Sequence, residues 1–252
     1  MFRYIKITEV LCVAFVLTLP YAARAMPVST VDIYNSGFGA NEIATIWGGG
    51  DSGLDVYTGV YMLEKTDGYN DGKLWPNGQV AAFCTELREA APETTLTYDV
   101  IELEQGPIPT TFLGGGMGTK KADYVRELWA RYYDSSWAGG GSYTWQQNSK
   151  AAAFAAAIWE IVHEDLPGSV LGWDVTVDGT PGDRGFRIEG IDTCLANSWL
   201  HSLTGTGPKA DLRIFSYNGA QDYIVEVPEP ATVALLGLGG IFSLLRKRRK
   251  IA

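Results

Sequence analysis

Two apolar segments, one near each end of the 252-residue chain and each accompanied by basic residues, decide how much of the chain is available for a folded body. At the first, Arg3 and Lys6 precede an uncharged run over residues 10–19, and Ala23 and Ala25 flank Arg24 as the small residues that a signal peptidase accepts. Residues 1–25 are therefore expected to direct export and to be removed before Met26. At the second, Val227-Pro228-Glu229-Pro230 leads into fifteen uncharged residues, 231–245, and then into Arg246-Lys247-Arg248-Arg249-Lys250. As a helix that run is about 22 Å long, short of the ~30 Å hydrocarbon core, so it is expected to be a marginal span. Its basic stop stays on the cytoplasmic side and leaves the rest of the chain outside the inner membrane.

Residues 26–230 then keep 12 basic and 28 acidic side chains, a balance of −16 against −9 for the whole chain. Such a surface repels phosphate backbones, which argues against nucleic acid as a partner. At 46% hydrophobic and 12% aromatic, the chain has enough apolar surface to bury a core. The 30 glycines carry no collagen period and indicate many turns.

Residues 26–53 are polar and glycine-rich and read as loop with short strand pieces. Strands are expected at 54–63, 79–86 and 94–104, with turn chemistry over 67–78. The glycine triplets 114–116 and 139–141 bracket a helix carrying Tyr124, Val125, Leu128, Trp129 and Tyr132 on one side. An alanine-rich second helix is expected from Asn148, as N-cap, to Asp165, where Pro167-Gly168 ends it. Further strands at 170–177 and 185–189 precede a third helix at 191–203. A closing hairpin, 211–217 and 221–227, turns on Asn218-Gly219. The economical fold class is α+β: one β-rich domain over residues 26–226 with an inserted cluster of about three helices, followed by a sorting tail at 227–252.

The order Val-Pro-Glu-Pro, short apolar helix and basic cluster resembles the PEP-CTERM sorting signal of Gram-negative bacteria, with Pro228, Glu229 and Pro230 as its namesake residues. The resemblance implies that a membrane cysteine protease, the exosortase, removes the tail and passes the body to the envelope or exopolysaccharide matrix. Within the body, Phe83-Cys84-Thr85-Glu86-Leu87 and the stretch 152–160, ending Ala157-Ile158-Trp159-Glu160, resemble the two signatures of bacterial thioester domains. In that family a strand cysteine condenses with a helix glutamine four residues before the tryptophan, and a surface amine later attacks the bond. Here that position is Ala155, whose methyl offers no carboxamide carbon. Gln147 lies about 12 Å back along the helix axis and Gln146 on the opposite face, so neither substitutes locally. Gln79, Gln105 and Gln221 are more distant candidates.

For Cys84 the residues leave three readings open: a small core hydrophobe, a disulfide with Cys194 in an oxidising compartment, or a nucleophile. A cysteine hydrolase would draw its base from His163 or His201, whose spacings are not diagnostic. His163 reads as a polar surface residue near a helix end. No paired spacing suggests zinc, and the acidic turn 67–72 departs from a calcium loop at Tyr69 and Gly78, so neither a metal nor a cofactor is expected. Most tryptophans read as core; Trp137 and Trp145 flank the second glycine triplet and are expected in an exposed loop, as contacts for sugar rings. The resulting expectation is a non-enzymatic envelope or matrix protein, acting by adhesion or scaffolding on an exopolysaccharide or surface ligand. Signal peptidase, exosortase and the inner membrane are its processing partners, and a secreted cysteine-dependent hydrolase is the alternative.

Overall fold

A computed structural model describes residues 28–110, 113–180, 182 and 184–229; the signal segment 1–25 and the apolar and basic parts of the tail lie outside them. Seven antiparallel strands form one sheet: β1 (Thr30–Gly48), β2 (Asp51–Tyr69), β3 (Gly78–Cys84), β4 (Leu96–Glu102), β5 (Phe186–Glu189), β6 (Leu212–Tyr217) and β7 (Ala220–Glu226). Their order is β2-β3-β7-β6-β4-β1-β5, and β1 also pairs with β2. Six strands therefore close on themselves as a barrel, while β5 adds to the far end of β1 at Thr45–Gly48. Three helices, α1 (Gly118–Tyr132), α2 (Trp145–His163) and α3 (Thr193–Ser202), complete the α+β architecture.

Residues 26–53, read as loop, instead contain the 19-residue strand β1. Register shifts at Asp32/Ile33, Asn35/Gly37, Phe38/Asn41 and Ile46/Trp47 break the two-residue alternation, so the pattern that betrays a strand is missing. The β1–β2 turn is Gly49-Gly50, both at positive φ (60° and 83°), which suits a two-residue hairpin between right-twisted strands. β2 likewise extends to Tyr69, through the start of the expected turn, and a single 3-10 turn at Asn70–Leu74 follows. The expected strand at 170–177 is a 3-10 turn at Val170–Gly172 and irregular chain. Its apolar residues pack singly: Trp173 and Val175 are buried, whereas Leu171 and Val177 are exposed.

α2 begins three residues before Asn148. Thr144 is the N-cap, closing a capping box with Gln147, and the Asn148 side chain instead accepts from Asn41 N at 3.2 Å. Every residue from Ala151 to His163 is buried. The six alanines at 151–153 and 155–157 have only methyl groups, which lets the helix lie close on β1 and β2. Phe154 projects from this row into an aromatic cluster between α1, α3 and β3, with its ring 4.9 Å from Phe83, 5.6 Å from Trp129, 5.5 Å from Trp137 and 6.3 Å from Trp199.

Candidate functional site

The end of β3 and the buried face of α2 bring the two candidate signatures together. Cys84 pairs across the sheet with Tyr223 of β7. Its thiol is buried, which pushes its pKa up to about 12, against the Trp159 indole and Tyr61 hydroxyl that favour the thiolate. Trp159 stands on α2 one turn after Ala155, which is itself 1% exposed. The arrangement is a buried cysteine at a strand end with the indole of the facing helix beside its thiol. Burial disfavours the thiolate, the nucleophilic form of the side chain.

The described glutamines are engaged away from Cys84 or exposed, Gln146 among the latter. Gln147 caps α2, accepting from Thr144 N and donating to Ser136 O at 3.0 Å. Gln105 accepts from Glu102 N, Gln221 donates to Asp222 O at 3.2 Å, and Gln79 is exposed.

The disulfide reading is corrected: both Cys84 and Cys194 are free, the first buried and the second exposed. Cys84 ends β3 inside the core, whereas Cys194 stands at the surface in the first turn of α3. His163 is buried, not at the surface. Its Nε2 lies 3.0 Å from Thr85 O, and burial pushes its pKa down to about 4, so it is neutral. His201 Nε2 lies 2.8 Å from Trp173 O, which fastens the irregular segment to α3. Each histidine thus has a ring nitrogen committed to a backbone carbonyl.

Trp137 is likewise corrected. It is 1% exposed, with its ring against Tyr133 and Phe154, because the chain after α1 folds back over α2 before the glycine triplet begins. Trp145 is 72% exposed at the first turn of α2.

A cluster that sequence reasoning missed lies just beyond Cys84. Asp222 of β7 is fully buried; its Oδ2 accepts from Ile108 N and Ser216 Oγ, both at 3.0 Å, and its Oδ1 from Tyr217 N at 2.8 Å. Its own N–H donates to Glu86 Oε2 at 2.9 Å, and its carbonyl accepts from Thr85 N at 3.1 Å. This hub ties the turn after β3 to the β6–β7 hairpin. Burial pushes the Glu86 carboxyl up to about 8, with the Asp222 charge adding to the shift and the Asp222 N–H opposing it. Burial also raises Asp222, against its donors, and raises Glu89, with help from Asp222. The signal available in the sequence was an aspartate inside a strand otherwise reading Tyr223-Ile224-Val225, since aspartate is depleted from strands unless its oxygens are used.

At the end of α2, Glu164 accepts from Phe186 N at 2.6 Å and Thr180 Oγ1 at 2.5 Å, and Glu160 accepts from Asp174 N at 2.8 Å. Burial pushes Glu160 up to about 8. These two carboxyls hold the segment between α2 and β5. Among the described residues, no group of three His, Cys, Asp or Glu side chains is arranged to hold a metal ion.

The last strand leads directly into the sorting segment. Val227 N donates to Asp211 O at 2.9 Å, Trp75 Nε1 donates to Glu226 O at 2.8 Å, and Pro228 and Glu229 are exposed immediately afterwards. Among the described residues no helix is long and apolar enough to cross a membrane, and the run 231–245 lies outside them. No curated protein and no solved structure matches the chain. Residues 226–250 match the PEP-CTERM protein-sorting motif. The chain is therefore an exported protein that carries an exosortase sorting signal and is directed to the cell surface.

Proposed function

We propose that the exported body, residues 26–226, is a non-enzymatic adhesion or scaffolding module whose fold is thioester-domain-like and whose acyl bond is lost. The observation that carries this reading is the buried Cys84 thiol beside the indole of Trp159, with a buried alanine at position 155, one turn before that tryptophan. The cysteine at the end of β3 and the tryptophan-bearing helix beside it support this reading. The hydrolase alternative needs a basic imidazole beside a reactive thiolate. Burial disfavours that thiolate, and His163 and His201 are both engaged with carbonyl oxygens. Contact with an exopolysaccharide or other surface ligand is assigned to exposed side chains, among them Trp145, which is 72% exposed.

Intact-mass measurement of the mature protein tests the bond directly. The expected mass shows no loss of about 17 Da and no methylamine adduct; Cys84 is alkylated only after unfolding, while Cys194 is alkylated in the native protein. An internal acyl bond at Cys84, cleaved by methylamine, would overturn the reading.

Processing gives a second expected result. In an exosortase-bearing cell the mature chain starts near Met26 and lacks Arg246–Lys250, whereas simultaneous replacement of Pro228, Glu229 and Pro230 by alanine leaves the basic tail attached. A wild-type chain that keeps its tail in such a cell sinks the assignment of cleavage.

A further inference from the structure

A pocket of about 500 Å³ opens beside the acidic hub, walled by Glu86, Glu89, Pro109, Leu113, His163 and Asn218. Glu86 is 3% exposed and lines this pocket, yet its Oε1 has no hydrogen-bond partner, while its Oε2 is used by Asp222 N. Glu89 Oε2 is also buried and without a partner. Two carboxyl oxygens and His163 Nδ1 therefore lie without a partner just behind the wall of one concavity. A buried polar atom left unpaired costs free energy that a matching partner recovers, and for Glu86 that partner is a donor once the carboxyl gives up its proton.

The charged groups facing Glu86 are Asp222 from β7 and Glu89 from its own turn, with Arg88 at the rim and the neutral His163 at the end of α2. Arg88 donates to Gly49 O at 3.3 Å and has further interactions of its own. Asp222 has both carboxyl oxygens filled by donors from its surroundings. Glu86 Oε1 and Glu89 Oε2 remain open, as does His163 Nδ1, and among the described residues neither carboxyl forms an ion pair with a cation. No third His, Cys, Asp or Glu is placed to complete a metal site among the described residues. A donor that brings its own protons and one positive charge fits better than a bare metal ion.

We propose that this pocket binds a primary ammonium group, whose N–H donors pair with Glu86 Oε1 and Glu89 Oε2 once the partly exposed Glu89 side chain turns to admit it. Hydrogen bonding and charge both contribute, and the apolar wall of Pro109 and Leu113 takes the first carbons of an alkyl chain. The site is independent of any bond at Cys84, so it survives whether or not the thioester reading holds. Because the empty pocket holds Glu86 protonated at neutral pH, binding of the ammonium releases a proton.

Titrating the full-length protein with n-butylammonium at constant ionic strength, by calorimetry in buffers of different ionisation enthalpy, tests this. Affinity is expected to strengthen about tenfold per pH unit from pH 6 to about 8 and then to level, with up to one proton released per ammonium bound. Tetramethylammonium, equal in charge but without N–H donors, is expected not to bind. Glu86→Gln is expected to abolish binding at pH 8 while keeping the Asp222 N–H satisfied through its amide oxygen. If that variant does not fold, Glu89→Gln, at a partly exposed position, is expected to weaken binding at least tenfold. Absence of n-butylammonium binding overturns the proposal, as does equal binding of tetramethylammonium or retention of affinity in the folded glutamine variant.

Discussion

Phe154→Ala is expected to destabilise the protein by about 4 kcal/mol, within the range of about 3–5 kcal/mol seen when a core phenylalanine is removed. Phe154 is fully buried on a helix whose neighbouring positions are alanine, so no adjacent side chain can move into the space. Its ring contacts aromatics of β3, α1, α3 and the turn at Ser135–Trp137, and each such contact adds roughly 0.5–1.5 kcal/mol beyond area burial. Domains of this size are stable by only about 5–15 kcal/mol, so this single truncation removes a large share. The check is equilibrium urea unfolding, where the midpoint falls while the slope stays constant. Trp145→Ala, at a 72% exposed position, is the matched control, with an expected change within about 0.5 kcal/mol. Equal effects at the two positions would mean that the helical layer is not packed around Phe154.

The second large effect is a loss of stability as pH rises. Glu86 and Glu160 are both pushed up to about 8 by burial, from an ordinary 4.5. Between those values the folded chain keeps a proton that the unfolded chain gives up, so stability is fullest below about 4.5 and declines until about 8. Each carboxyl contributes a steepest slope of about 1.4 kcal/mol per pH unit. His163 acts in the opposite sense: its imidazole is pushed down to about 4 from 6.5, so stability falls as pH drops through that window. The two trends partly offset one another between about 4.5 and 6.5. The decline is therefore expected to be steepest from pH 6.5 to 8. Urea midpoints measured across pH 5–9.5 check it, and Glu86→Gln and Glu160→Gln should each flatten the curve. A stability that stays constant or rises between pH 6.5 and 8 contradicts the burial of these carboxyls in protonated form.

The hydrogen bonds around these groups explain why the carboxyls are retained. Glu160 and Glu164 satisfy backbone N–H groups of the irregular segment and of β5, and Asp222 does the same for Ile108 and Tyr217. Apolar replacements of similar size would leave those donors unpaired in the interior. In each case a local side chain substitutes for sheet or helix hydrogen bonds that the topology does not provide.

What was legible in the sequence rests on short-range rules. Asn218-Gly219 set the β6–β7 hairpin, because few residues accept the positive φ of a two-residue turn, and Gly219 indeed lies at φ 96°. The three helices followed from alanine content, apolar spacing and the Pro-Gly stop, with ends displaced where a capping side chain overrode the nearer candidate, as Thr144 did Asn148. The sorting tail is linear chemistry, read in order along the chain, and needs no fold to be recognised.

Only the tertiary structure decided the rest. Bulges in β1 erased the alternation that marks a strand, yet pairing with β2 on one edge and with β4 and β5 on the other makes it central to the sheet. Trp137 and His163 carry no local sign of depth; each is buried because a distant segment closes over it. The state of Cys84 and the meeting of Glu86 with Asp222, 136 positions apart in the chain, depend on barrel closure through β3 and β7. Burial, and with it the pKa of a thiol or carboxyl, is a property of what the rest of the chain packs around a residue, and no spacing within a single segment encodes it.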